Sequence, residues 1–170
     1  MSSSVIIREA NINDTQNLID LKLNYLADSK TIPLNLNEYP NDYDNEFHLI
    51  ETLEEQDNSI LLVATVDGEL VGNLDIFGNQ RQRLFHTGNL GMGIHNDWQN
   101  KGIGSELISA AITWAKNNEY IKLITLDVYA TNKPALKLYK KFNFVKTGQI
   151  KDFFHQDERY IDKISMVNHL

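Results

Sequence analysis

Gly102 and Gly104 flank Ile103 in "WQNKGIGSEL", directly ahead of an apolar helical pattern. Glycine is a poor helix former, so two of them where a helix must begin need a physical reason. The amides of a first helical turn have no intrahelical partner, and the helix dipole gathers partial positive charge there. A residue without a Cβ lets a bulky anion descend onto those bare N–H groups, and Lys101 adds charge beside them. A pyrophosphate suits such a site. A tight strand-to-helix turn would also use the same glycines. Two common phosphate motifs do not match: Lys101-Gly102 reverses the Gly-Lys-Ser/Thr order of a P-loop, and Leu107 stands where the dinucleotide fingerprint has its third glycine.

Two further stretches carry residues of chemical interest. In "TGNLGMGIH" strand alternation puts Leu90, Met92 and Ile94 on one face and Asn89, Gly91 and Gly93 on the other. Glycine at alternate strand positions marks a backbone that something approaches closely. In "TNKPALKLYKKF" Asn132 is a helix cap with Pro134 in the first turn, and Tyr139 shares a helical stripe with Ala135 and Phe142.

The elements that hold these residues follow from pattern. "SVIIREA" reads as a first strand, and "DTQNLIDLKLNYLADS" as a helix with Leu18, Leu21, Tyr25 and Leu26 at helical spacing behind an Asp14 or Thr15 cap. "KTIPLNLNEYPNDYDNE" is rich in Asn, Asp and Pro and reads as a loop. Its Asp42 and Asp44 do not make a calcium loop, because Phe47 stands where that loop needs glycine. A short helix over 47–55 precedes "SILLVATVDGELVGNLDIF", two strands joined by the hairpin signal Asp67-Gly68. "GSELISAAITWAKNN" is an amphipathic helix, "KLITLDVYA" a strand, and "FVKTGQIKDFF" and "RYIDKISMV" closing strands. Strand, helix, strand, helix and strand in the second half imply a parallel pair inside a largely antiparallel sheet, an α/β single domain.

Composition narrows the function. A chain of 170 residues is one domain's length, and 42% hydrophobic with 23% charged residues is a globular balance. The longest strongly apolar run, Ile60–Val66, is far short of the roughly 20 residues a membrane span needs. "MSSSVIIREA" lacks the basic start and apolar stretch of a secretory leader, so the expectation is a soluble, cytoplasmic protein. With no cysteine there is no disulfide, thiolate metal site or catalytic thiol. A net charge of -7 argues against nucleic acid and for a cationic partner.

These motifs resemble the GNAT superfamily of acyl-CoA-dependent N-acetyltransferases. "QNKGIG" is similar to its Q/R-x-x-G-x-G/A pyrophosphate loop, and "LDVYATNKPALKLYKKFNFV" to its strand-Asn-helix-Tyr segment. The likeness covers about residues 58–168, and the first 57 fit in outline. It implies a GNAT-like fold over 1–170, a mixed, largely antiparallel sheet with a central splayed parallel strand pair flanked by helices. It further implies acetyl-CoA as cosubstrate, no metal, an amine-bearing acceptor, and the homodimers common in the family. Gln99, Asn100, Lys101, Gly102, Ile103, Gly104 and Ser105 would surround the pyrophosphate. Gly91, Met92, Gly93 and Ile94 would run beside the pantetheine arm, with the face of Gly91 and Gly93 left clear for it. Asn132 would hydrogen-bond the cofactor near the splay, and Tyr139 would sit near the thioester sulfur as general acid. The Met92 N–H would polarise the thioester carbonyl.

The base is less plain. An alkylamine of pKa about 10.4 is free base in only about one molecule in a thousand at pH 7, so a proton acceptor is needed. Many relatives carry a glutamate on the strand before the loop, and the corresponding residue here is Asn89. No carboxylate lies between Arg83 and Ile94. His86 is the nearest titratable group; Asp75 and Glu158 could serve through water, and water alone is equally open. The acceptor is a small amine such as an amino acid, polyamine or aminoglycoside, or else a protein α-amine or lysine. A non-catalytic acyl-CoA-binding module is the rival reading, with Asn89 as its support and Tyr139 against it.

Overall fold

The computed structural model describes residues 4–170; Met1–Ser3, part of the N-terminal stretch considered as a leader, lie outside it. Seven strands form one sheet in the order β1-β2-β3-β4-β5-β7-β6. They are β1 (Val5–Glu9), β2 (Ile60–Val66), β3 (Glu69–Gly78), β4 (Thr87–Ile94), β5 (Leu123–Tyr129), β6 (Val145–Gln156) and β7 (Arg159–His169). The helices are α1 (Thr15–Asp28), α2 (Tyr43–Glu55), α3 (Ile103–Asn117) and α4 (Lys133–Lys141). All neighbouring strands are antiparallel except β4 and β5.

The continuous apolar run of β2 is explained by its being covered on both faces, and every residue of it is buried. Leu61 and Val63 pack with Leu18, Leu21 and Tyr25 of α1 and Ile50 and Leu53 of α2. Leu62 and Ala64 pack on the opposite face with Ile103, Leu107 and Ile108 of α3. Asp67 and Gly68 both take positive φ, +49° and +88°, as the tight hairpin pattern requires. Asn143, with φ +66°, supplies the left-handed residue after α4.

Two helix starts differ from the sequence reading. Asp14 precedes α1 but makes no side-chain cap there. Its carboxylate instead accepts two Arg8 N–H groups at 2.7 Å each and the Asn11 amide at 2.9 Å, closing a short 3-10 turn. Helix α2 begins at Tyr43 and not near Phe47, because the Asp42 side chain accepts the Asn45 amide at 2.9 Å and starts the helix a turn early. Asp42 is thus a cap and Asp44 a first-turn acid, where anions favour the dipole.

The feature that makes a site lies between β4 and β5. They pair only at Thr87–Leu123, Gly88–Ile124 and Asn89–Thr125. Beyond Asn89 each strand stays held on its outer side, β4 by β3 as far as Ile94 and β5 by β7 as far as Tyr129. The two strands therefore part while remaining rigid.

Candidate active site

Hydrogen-bond parity shows which part of β4 faces the gap. The Asn79 amide donates to the Thr87 carbonyl and the His95 amide to the Val71 carbonyl, both at 2.9 Å, so odd-numbered residues of β4 direct their backbone groups to β3. Leu90, Met92 and Ile94 then point theirs toward β5. Past Asn89 there is no β5 partner in register, so the Met92 N–H is presented to the gap.

A cleft of about 600 Å³ runs through this opening and is lined from both faces of the sheet. One wall comes from Tyr25 of α1 and from Ser29, Thr31, Ile32 and Pro33 after it; the other comes from the start of α3 and from Asn132, Leu138 and Tyr139. The segment after α1 is tied to the β6–β7 hairpin by a Lys30–Asp157 ion pair at 3.0 Å and by Gln156 Nε2 donating to the Ser29 carbonyl at 3.4 Å.

At the α3 end, Gln99, Asn100, Gly102, Ile103, Gly104 and Ser105 line the cleft. Asn100 and Gly102 take left-handed φ of +58° and +86°, and Gly102 is the cap residue with no side-chain cap bond. Glu106 is the first amide to return into the helix, to the Gly102 carbonyl at 3.2 Å, which leaves the amides before it for a ligand. A Cβ at Gly102 would meet nothing within 4 Å. Such a concave run of amides is an anion nest. Gln99 fixes the loop to the strand end, its Nε2 donating to the Ile94 carbonyl at 3.3 Å. Gly104 serves packing instead, since a Cβ there would lie 3.0 Å from Leu138 and 3.3 Å from Ile94; its absence lets α3 seat against β4 and α4. Lys101 does not line the cleft; its ammonium lies 4.8 Å from the centre of the Trp98 ring, a cation–π contact outside the nest.

The face of Gly91 and Gly93 is not clear. A Cβ on Gly93 would come within 2.3 Å of the Tyr25 ring, and one on Gly91 within 3.0 Å of the Asp75 carboxylate. These glycines make room for protein side chains, and the cleft is reached along the strand edge. Gly91, Met92, Gly93 and Ile94 all line it.

Asn132 both caps and lines. Its Oδ1 accepts the Ala135 amide at 3.2 Å, leaving Nδ2 for a ligand, and it borders the cleft. Tyr139 also borders the cleft, 8% exposed, edge-on to Phe144 with ring centres 5.7 Å apart. Burial pushes its hydroxyl up to about 12. Neither His86 nor Asn89 lines the cleft. His86 is exposed ahead of β4, its carbonyl accepting the Lys122 and Leu123 amides. Asn89 is exposed at the last β4–β5 pair, and Glu158 is exposed in the β6–β7 turn with φ +60°.

The structure gathers a polar cluster that sequence reasoning missed, apart from Asp75. Glu46, 4% exposed, accepts Lys22 Nζ at 2.6 Å and the Tyr39 hydroxyl at 3.0 Å. Beside them lie Tyr25, Asn73 and Asp75. Burial pushes the hydroxyls of Tyr25 and Tyr39 up, and nearby carboxylates push the same way. It pushes Asp75 up to about 6, with Lys22 opposing. The signal available in sequence was a Lys within one helix and a Glu at the end of a polar loop; nothing there shows that α2 begins early enough to take in Glu46 or that it crosses α1 at Lys22.

A family model described as the acetyltransferase (GNAT) family matches residues 25–144. The chain belongs to the GNAT acetyltransferase family. It is 35% identical over 105 residues to the L-amino acid N-acetyltransferase AaaT of Escherichia coli, a match spanning 62% of this chain and 65% of that enzyme. Among solved structures, an acetyltransferase of the GNAT family from Streptococcus pneumoniae superposes with a TM-score of 0.94 at 26% identity, over 98% of this chain and 100% of that one. The yncA protein of Salmonella typhimurium, solved with acetyl-CoA, gives 0.86 at 20% identity over 98% and 94%. Among the described residues no helix is long and apolar enough to cross a membrane, and no cluster of His, Asp and Glu is arranged to hold a metal ion.

Proposed function

We propose that this protein transfers the acetyl group of acetyl-CoA to the primary amine of a small molecule. The observation that carries this reading is a cleft that passes through the sheet where β4 and β5 part, bordered by an uncapped helix start on one side and by Tyr25 and the segment after α1 on the other. An acyl-CoA fits the residues present: the open space at Gly102 suits a pyrophosphate, and the free edge of β4 suits an extended amide-bearing arm. When bound, acetyl-CoA supplies an activated acetyl group and a thiolate leaving group.

The chain's own residues then do four things. The first-turn amides of α3 hold the pyrophosphate, and Asn132 Nδ2 fixes the arm near the splay. The Met92 N–H withdraws electrons from the acetyl carbonyl. Tyr25 and the segment from Ser29 to Pro33 orient the acceptor and exclude water. Tyr139 holds the proton that the departing sulfur takes. The tie between the α1–α2 segment and the β6–β7 hairpin holds in place the residues that line the acceptor side, which favours a small amine over a protein chain. The similarity to an L-amino acid N-acetyltransferase points the same way.

The test is thiol release from acetyl-CoA with a panel of L-amino acids, polyamines, aminoglycosides, and peptides bearing a free N-terminus or lysine. Turnover confined to small amines is the expected result. Turnover of peptides alone would replace the small-molecule acceptor with a protein one, and binding without turnover would favour an acyl-CoA-binding module.

A further inference from the structure

The reaction needs a destination for the acceptor's proton, and β4 offers no carboxylate for it. Asp75 is not itself in the cleft wall but lies directly behind Gly91 on the neighbouring strand, within reach of the cleft through water. The register Asp75–Gly91 sets the two residues directly across from one another, and the Asp75 Oδ1 and Oδ2 lie 3.0 and 3.3 Å from where a Cβ of residue 91 would be. The missing side chain at Gly91 is thus what lets the carboxylate lie over the β4 main chain, at a residue that lines the cleft just past the last β4–β5 pair.

The groups that face this carboxylate are Lys22 and Tyr25 from α1, Glu46 from α2, the Gly91 N–H from β4, and Asn73 on the same strand face. Lys22 makes its ion pair with Glu46 at 2.6 Å, and from there its charge offsets the effect of burial on Asp75 only in part. The Tyr39 hydroxyl also turns to Glu46, at 3.0 Å. Asn73 Oδ1 is buried with no hydrogen-bond partner, so this neighbour leaves an acceptor for a water or an ammonium N–H beside the carboxylate.

We propose that Asp75 is the general base for the transfer, receiving a proton from the acceptor's ammonium group. The proposal rests on the transferase reading above. Of the ammonium's three protons, one goes to the Asp75 carboxylate and from there to solvent. As the new N–C bond forms and the C–S bond breaks, a second proton leaves the nitrogen and restores Tyr139, whose own proton has gone to sulfur. The third stays on the amide product. With its carboxyl held up at about 6, Asp75 is ionised at pH 7 and still a useful base.

The experiment measures kcat/KM by thiol release from about pH 5 to 9, comparing wild type with Asp75→Asn. Two accepted amines are used, one resembling a peptide α-amine of pKa about 7.7–8.0 and one resembling lysine at about 10.4. The wild-type profile should rise through an apparent pKa near 6. Asp75→Asn should lose that limb and fall about 100-fold or more on the lysine-like amine, and by less on the weaker base. Calorimetry should show acetyl-CoA affinity within about twofold of wild type, which establishes a folded variant. Equal rates, or a uniform fall that keeps the limb near 6, would remove Asp75 and leave the transferase reading standing. If the wild type binds acetyl-CoA yet turns over no amine, the transferase reading fails and takes the base with it.

Discussion

Burial acts on Tyr139 and on the sulfur it would protonate in the same direction. A phenol held at about 12 is a weaker donor than one in water, but a thiolate in the same cleft is a stronger base. Tyr139→Phe keeps the ring against Phe144 and removes only the proton, so it should lower kcat by about 100-fold with little change in acetyl-CoA affinity. Stopped-flow thiol release would check this, and an unchanged kcat would take Tyr139 out of the mechanism. The two glycines of the loop read alike in sequence, and only the fold separates them. Gly102 has left-handed backbone and open space beyond it, whereas Gly104 faces Leu138 and Ile94. A valine at Gly104 would therefore disturb packing as well as binding. Asn132 and Tyr139 were legible because a cap and a helical stripe are local patterns. Lys101 misled because cation–π capture by Trp98 depends on where a flexible chain folds back.

At the scale of elements, the hairpin at Asp67-Gly68, the amphipathic α3 and the order of strands and helices were legible because each rests on residues close in sequence. The early start of α2 was not, since Asp42 reads equally as loop and as cap. The glycine face of β4 signals a close approach but not its occupant, because Tyr25 is distant in the chain. Gly93→Ala should force the Tyr25 ring, and α1 with it, out of place. The expected cost is about 1–3 kcal/mol, seen as a lower Tm at about 2–4 °C per kcal/mol. The pair that joins α1 to α2 should matter more. Lys22→Met leaves Glu46 buried without its cation, for about 3–5 kcal/mol of lost stability by urea unfolding. A loss below about 1 kcal/mol would show that the pair is solvated as a surface bridge.

For the molecule as a whole, two apolar cores grip one sheet from opposite faces and hold β3 and β7 firm while β4 and β5 separate between them. The proposed base carries a cost in stability. The Asp75 carboxyl is raised from an ordinary 3.8 to about 6 in the fold, so the native state binds more protons between those values. Its contribution is most favourable below about pH 4 and is lost as the pH rises through about 6; above that, the buried carboxylate costs about 3 kcal/mol. Asp75→Asn should accordingly melt higher than wild type near pH 7.5 and lose that advantage near pH 4.5, as scanning calorimetry would show. The central claim concerns the cleft itself, and a calorimetric titration of acetyl-CoA into wild type and Gly102→Ala tests it most directly. Alanine at φ +86° adds about 1–2 kcal/mol of backbone strain and sets a methyl group in the open space proposed for the pyrophosphate. One-site binding by the wild type, weakened about tenfold or more in the folded variant, is the predicted result. Equal affinity for the two proteins would contradict it and move the pyrophosphate away from the start of α3.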